Sequence, residues 1–391
     1  ASAFSLLPDH AAAATSAAGN LVAALGPKID LVVVYTTEQH ARPEMLDALR
    51  ATIPGAQIVG GTSCGGVMTE AGFHASPDGA LGLFGIADPD GSYGVGSCGA
   101  ADGSFAAGAA AIDRALAAAG RAFETPTLVW CCQPPGDEEA VIAGIQSVIG
   151  AAAPIIGGSA ADETIAGAWR QYATEGVLAG HVVVAALFPT AGYGAAFQSG
   201  YAPTECAGTV TGAAGRQILE IDGRPAAEVY GKWTGGAVAT CAAGIILAKS
   251  TATPLGRIAG SMRGVPMYLL SHPAFVGTGG DLALFTDIAV GDKVHMMRGS
   301  PETLVKRAGL VVSDACAMGG WPAGTTRGGL VIYCGGCMLH VRDRMDDVVE
   351  EVRRAMPGAP FLGAFTFGEQ GAIVDNANRH GNLMVSALTF G

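Results

Sequence analysis

Three short, unbroken apolar runs recur along the chain, each followed by an amphipathic stretch and then by a second short run entering glycine. The first is Leu31-Val32-Val33-Val34-Tyr35. A helical stretch, Pro43 to Ile53, follows with Met45, Leu46, Leu49 and Ile53 on one face, and Gln57-Ile58-Val59 then enters Gly60-Gly61-Thr62-Ser63-Cys64-Gly65-Gly66. The second begins Thr127-Leu128-Val129-Trp130-Cys131-Cys132, predicts a helix from about Asp137 to Ile149, and runs through Pro154-Ile155-Ile156 into Gly157-Gly158-Ser159-Ala160-Ala161-Asp162. The third begins Leu330-Val331-Ile332-Tyr333-Cys334, predicts a helix from about Met345 to Met356, and runs through Phe361-Leu362 into Gly363-Ala364-Phe365-Thr366-Phe367-Gly368-Glu369. Apolar strands separated by a helix read as β-α-β, with parallel pairing and both faces covered. Another apolar strand follows each glycine-rich turn: Ala80 to Phe84, His181 to Leu187 and Asn382 to Leu388. The predicted fold is therefore α/β, with three repeated strand-helix-strand-Gly turn-strand units in mixed sheets.

Between the second and third units the pattern changes to a β-rich insertion. Gly208 to Thr211 and Gln217 to Ile221 alternate as strands, and Asp222-Gly223 is a turn signal. Pro225 suits the first turn of a short helix through Tyr230. Leu282 to Val290 and Lys293 to Met297 predict further strands across Gly291-Asp292. A boundary falls near Ala195–Pro203. Residues 1–27 form an N-terminal extension, 28–200 hold two α/β units, and 201–391 hold the insertion and the third unit.

Composition narrows the function classes. A chain of 391 residues exceeds one ordinary domain, and 50% hydrophobic content with 14% charged residues builds a large core. A formal net charge of −12 repels phosphate backbones, which disfavours nucleic acid as a partner. No apolar run is long enough to span a membrane. Nine scattered cysteines are not a disulfide framework, so a reducing, cytoplasmic setting is expected. The chain starts at Ala1 without a basic leader, and loss of an initiator Met explains that start more simply than a cleaved signal.

At the glycine-rich segments the chain resembles the FIST family. Ile58 to Ser63 and Pro154 to Asp162 resemble its N-terminal module. Val210 to Tyr230, Val290 to Val294, the Cys334 strand, and Gly363 to Glu369 with His380 and Asn382 resemble its C-terminal module. Residues 28–200 and 201–391 are the two modules on this reading. The resemblance implies a sensory protein that binds a small, amino-acid-like ligand and passes the signal to an output protein; some members resemble haem sensors of nitric oxide. Two departures stand out: Cys334-Gly335-Gly336 leads to Cys337 rather than directly to Arg, and the ending reads His380-Gly381-Asn382-Leu383.

In open α/β sheets, ligands sit beyond the carboxyl ends of strands. The expected ligand contacts are therefore Gly61, Ser63, Cys64, Ser159, Asp162, Cys334, Gly335, Glu369, His380 and Asn382. A carboxylate in an apolar setting must pair, protonate or reach water, so Glu369 is either a partner for a ligand ammonium or a cap or salt bridge. Cys64 or Cys334, with His380 as base, is the alternative of a Cys-dependent hydrolase or transferase; a small buried thiol is the plainer reading. Cys334 and Cys337 form a CxxC, too few ligands for a structural zinc site, and no metal is expected. Haem would need His272 or His380 as its axial ligand in an apolar pocket. Trp321, in a Gly/Pro loop, reads as a pocket lid or as ordinary packing.

Overall fold

The computed structural model describes residues 1–238, 243–262, 264–322, 324–373 and 377–391. The architecture is mixed α/β, with several mixed sheets. Three sheets of six strands each enclose a shared core. In the first, Leu31–Thr36 pairs in parallel with Gln57–Thr62 and antiparallel with Leu81–Ile86. In the second, Leu128–Gln133 pairs in parallel with Ile155–Ser159 and antiparallel with His181–Phe188. In the third, Gly328–Cys334 pairs in parallel with Phe361–Thr366 and antiparallel with Met384–Phe390.

Alternation along each strand explains why the runs are apolar throughout. Leu31, Val33 and Tyr35, with Leu128 and Trp130, and Leu330 and Ile332, point into one core shared by the three sheets. Their neighbours point outward beneath helices: Val32 and Val34 under His10–Leu25 and Pro43–Thr52, Val129 and Cys131 under Ser104–Ala118 and Glu138–Ile149, Val331 and Tyr333 under Pro301–Gly319 and Met345–Ala355. A strand covered on both faces has no polar side to show. The N-terminal extension is built into the first sheet: Ser2–Ser5 pairs with Leu81–Ile86. Tyr193–Ser199 pairs with Met384–Phe390, so the third sheet already begins before the expected boundary.

The glycine-rich stretches differ from expectation. Gly60, Gly61, Gly157, Gly158 and Gly363 lie within strands rather than turns. At Gly60 (φ 157°) a Cβ would stand 1.7 Å from the Val34 carbonyl oxygen, and at Gly157 (φ 148°) 1.9 Å from that of Cys131. These glycines let the parallel neighbour's backbone approach in a conformation that other residues avoid. Each stretch then enters a hairpin that leaves its own sheet. Val67–Thr69 joins Phe361–Thr366, Gln171–Ala173 joins Gln57–Thr62, and Glu369–Ala372 joins Ile155–Ser159.

The described residues between 202 and 298 form the β-rich part, with the helix Ala226–Trp233 beside it. Gln217–Ile221 and Lys293–Arg298 are strands as expected, whereas the Leu282 to Val290 run is a strand only over Leu282–Leu284.

Candidate functional site

The three glycine-rich segments meet by their backbones. Cys64 N donates to Phe365 O at 2.9 Å, Ala161 N to Thr62 O at 2.9 Å, and Ser159 N to Gly368 O at 2.8 Å. The carboxyl ends of strands from all three sheets thus converge, and a cavity of about 480 Å³ opens beside them. Its wall takes Cys64 from the first segment, Glu138 from the helix after Leu128–Gln133, Cys334 from the third sheet, and Asn382 from the bend between Asn378–Gly381 and Met384–Phe390. The β-rich part closes the other side with Arg216, Leu247, His272 and Phe285.

Of the expected contacts, Cys64, Cys334 and Asn382 line this cavity. Gly335 packs just behind, where a Cβ would lie 3.4 Å from Cys64 Cβ and 3.6 Å from the Phe367 ring. The others support the wall. Ser63 Oγ donates to Gly66 O (2.6 Å) and accepts from Phe365 N (2.8 Å), tying the first segment to the third. Ser159 Oγ donates to Glu138 Oε1 at 2.7 Å. Gly61 is pressed against Cys132, whose sulfur would lie 2.5 Å from a Cβ there. The Asp162 carboxylate accepts backbone N–H groups of Ile165 (2.5 Å), Ala166 (3.0 Å) and Ala168 (2.8 Å). It shapes the loop that carries Thr164, Ile165 and Trp169 onto the cavity.

Glu369 is fully buried and faces inward. It accepts from Thr366 Oγ1 and Met384 N, both at 3.0 Å. Burial holds its carboxyl well above the usual carboxylate range. His380 opens on a different cavity, of about 440 Å³. Its Nδ1 lies 3.1 Å from Glu139 Oε1 and its Nε2 3.8 Å from Glu138 Oε1. Burial works against the imidazolium, but the two carboxylates outweigh it and hold His380 above the usual histidine range. Among the described residues, Glu138, Glu139 and His380 are the one grouping disposed like metal ligands. The cation in contact there is the Arg216 guanidinium, which bonds Glu138 (2.8 Å), Glu139 and Asp287 (2.9 Å).

Sequence reasoning missed Glu138, Trp169, Arg216, Phe285 and Phe367. Glu138 was findable, because it opens a helix directly after a strand's carboxyl end. Arg216 and Phe285 carry no local signal; only the docking of the β-rich part brings them in. Trp169 and Phe367 form an edge-on pair, with centroids 6.1 Å apart, on the cavity wall. Trp321 packs instead against Gly192, Gly319 and Gly391.

The thiols on the wall are poor nucleophiles at rest. Burial first, then the nearby Glu163 and Cys334, push the Cys64 thiol up to about 12. The hydrogen bond with Cys337, followed by burial, pushes Cys334 up as well. His272 is buried, and burial lowers it to about 4, so it is neutral. Its Nε2 donates to Leu247 O at 3.0 Å and lies 3.4 Å from Thr251 Oγ1, which leaves Nδ1 as a lone-pair acceptor.

Residues 30–224 match the FIST N domain and residues 226–372 the FIST C domain. The chain belongs to the FIST family, whose domains are associated with small-ligand sensing in signalling proteins. Among curated proteins, none matches the chain in sequence. Among solved structures, the cyanuric acid hydrolase from A. caulinodans is similar over 99% of this chain and 97% of that one, at 12% identity and a TM-score of 0.40. That likeness is too distant to carry an argument.

Proposed function

We propose that this is a soluble sensory protein that binds a small amino-acid-like metabolite, without catalysis, in the 480 Å³ cavity between the FIST N and FIST C domains. The observation that carries this reading is the mixed wall of that cavity. Trp169, Phe285 and Phe367 offer apolar faces, while Glu138 and Arg216 offer paired opposite charges. A zwitterion with an apolar side group complements such a wall. Ligand pockets commonly join a mostly apolar lining to a few fixed polar groups. The raised thiols of Cys64 and Cys334 argue against a hydrolase, because the thiolate is the nucleophile and it is scarce here. A thermal-shift series over amino acids and related metabolites tests the reading. A true ligand at a hundred times its Kd adds about 2.7 kcal/mol of stability. Trp169→Ala and Asn382→Ala are expected to abolish that gain, and a flat response to every compound sinks the proposal.

His272 favours a second reading, a haem-based gas sensor. The group needs one axial imidazole in an apolar pocket, and His272 presents an uncommitted Nδ1 among Leu247, Phe285 and Phe367. Bound haem would supply the gas-binding iron, and His272 would hold it. Adding haemin and recording the visible spectrum decides this: a shifted Soret band lost in His272→Ala supports it, and an unshifted band ends it.

We further infer that the chain is three copies of one strand-helix-strand-glycine-strand plan, with the β-rich part inserted between the second and third. The parallel pairs and exchanged hairpins of the three sheets support this. Residues 1–27, 28–200 and 201–391 are the corresponding extension and modules. We place the protein in the cytoplasm, reporting ligand occupancy to a signalling partner. Among the described residues, no helix is long and apolar enough to cross a membrane, and the eight described cysteines are free thiols.

A further inference from the structure

The cavity wall contains a second arrangement that ligand binding does not explain. Cys334 ends the strand Gly328–Cys334 and caps the helix Gly335–His340, and Cys337 stands one turn further on. Residues three apart at a helix start are neighbours, with Cβ atoms about 5–6 Å apart. A disulfide asks for about 3.5–4.5 Å, a gap that a small shift of the backbone at the helix start closes. Their surroundings are unequal. Cys334 lines the cavity, whereas Cys337 lies behind it, with its sulfur 3.7 Å from the Tyr201 hydroxyl. Gly336 keeps the approach open: a Cβ there would stand 3.7 Å from the Cys334 sulfur and 3.6 Å from His272.

We propose that Cys334 and Cys337 are a dithiol–disulfide exchange site for small aliphatic disulfides that enter the cavity. In the first step the Cys334 S–H bond breaks and its proton passes to water. The sulfur attacks one sulfur of the incoming disulfide, whose S–S bond breaks, and the departing thiolate takes up a proton. A mixed disulfide remains on Cys334. In the second step Cys337 loses its proton and attacks the Cys334 sulfur. The Cys334–Cys337 bond forms, and the second small thiolate leaves and is protonated. The protein dithiol is oxidised by two electrons, and the external disulfide is reduced to two thiols. Because the Cys334 thiol is held in its neutral form, exchange is slower than for a free thiol, and equilibrium rather than rate is the first readout. The site shares the wall of the cavity assigned above to ligand binding but does not rest on that reading.

The experiment equilibrates the full chain in glutathione buffers of increasing oxidised-to-reduced ratio, with near-ultraviolet dichroism confirming the folded state. Intact mass and differential alkylation with peptide mapping then follow the thiols. The expected result is a species lighter by two hydrogen masses, with Cys334 and Cys337 joined and the other cysteines free, reversed by dithiothreitol. Cys337→Ser is expected to stop halfway and carry one glutathionyl group on Cys334. An unchanged mass at the most oxidising ratio overturns the proposal, as does pairing of any other cysteines. Failure of Cys337→Ser to trap glutathione does so too, provided that variant melts as a folded protein.

Discussion

Gly60 and Gly157 do the same work in two different sheets. Each sits in a parallel pair with positive φ, and at each a Cβ would penetrate a neighbouring carbonyl. Gly157→Ala therefore meets backbone, which cannot swing aside, and is expected to cost about 3 kcal/mol or more. Urea denaturation reads this directly: an unchanged midpoint contradicts the assigned strand approach. His272 makes a different prediction at the same scale. Its folded pKa of about 4 lies below its ordinary 6.5, so the unfolded chain binds the extra proton between those values. Stability contributed by neutral His272 is full above pH 6.5 and is lost as pH falls towards 4. The loss is on the order of 3 kcal/mol, and His272→Gln should flatten that part of the pH profile of the denaturation midpoint. These residues also show what the sequence makes legible. The glycine runs mark the correct places, but glycine normally punctuates turns, so the runs read as turns. The backbone that presses on Gly60 belongs to a strand more than twenty residues earlier, which no local pattern reports. Likewise Asp162 and Glu369 stand out as carboxylates in apolar surroundings, yet the amides of a loop that hold the first and the Met384 amide that holds the second come only with the fold.

Elements were legible where amphipathic periodicity was strong. Pro43–Thr52, Glu138–Ile149 and Met345–Ala355 match their expected spans within a residue or two. Ser104–Ala118 and Pro301–Gly319 went unread, although Ser300 and Thr303 form a capping box at the start of the latter. Their small residues, such as Gly108 and Gly309, pack against the backbone of neighbouring helices, at Val141 and Glu351, and leave little apolar signal. The exchanged hairpins were equally hidden, since each is only three or four residues per strand. At this scale the Arg216 cluster binds the β-rich part to the helix Glu138–Ile149. Arg216→Leu leaves Glu138, only 2% exposed, without its guanidinium partner. Such a loss costs about 3–5 kcal/mol. Adding Glu138→Gln should recover part of it, because the stranded charge is then gone. A double-mutant cycle by chemical denaturation checks this, and additive losses would mean that the two side chains are not coupled.

At the scale of the molecule, the hairpin exchange makes the two family domains interdependent. Ile155–Ser159, in the FIST N region, has Glu369–Ala372 as its neighbour on one side, and Val67–Thr69 depends on Phe361–Thr366. The central core needs both regions as well: Tyr35 and Trp130 share it with Leu330, Ile332, Leu362 and Leu388. A chain cut at residue 192 would expose those inward faces, strip the second sheet of one hydrogen-bonded edge, leave only the Val67–Thr69 hairpin of the third, and remove one wall of the cavity. A fragment of residues 1–192 is therefore expected to lack native near-ultraviolet dichroism and a cooperative melt. The full chain should unfold in one calorimetric transition, with the van't Hoff and calorimetric enthalpies in agreement. Two separated transitions, or a fragment that melts sharply by itself, would show that the exchanged strands decorate the modules rather than hold them together. A ligand seated between the domains would then raise only one of the two transitions, whereas in the interlocked molecule it must raise the single transition of the whole.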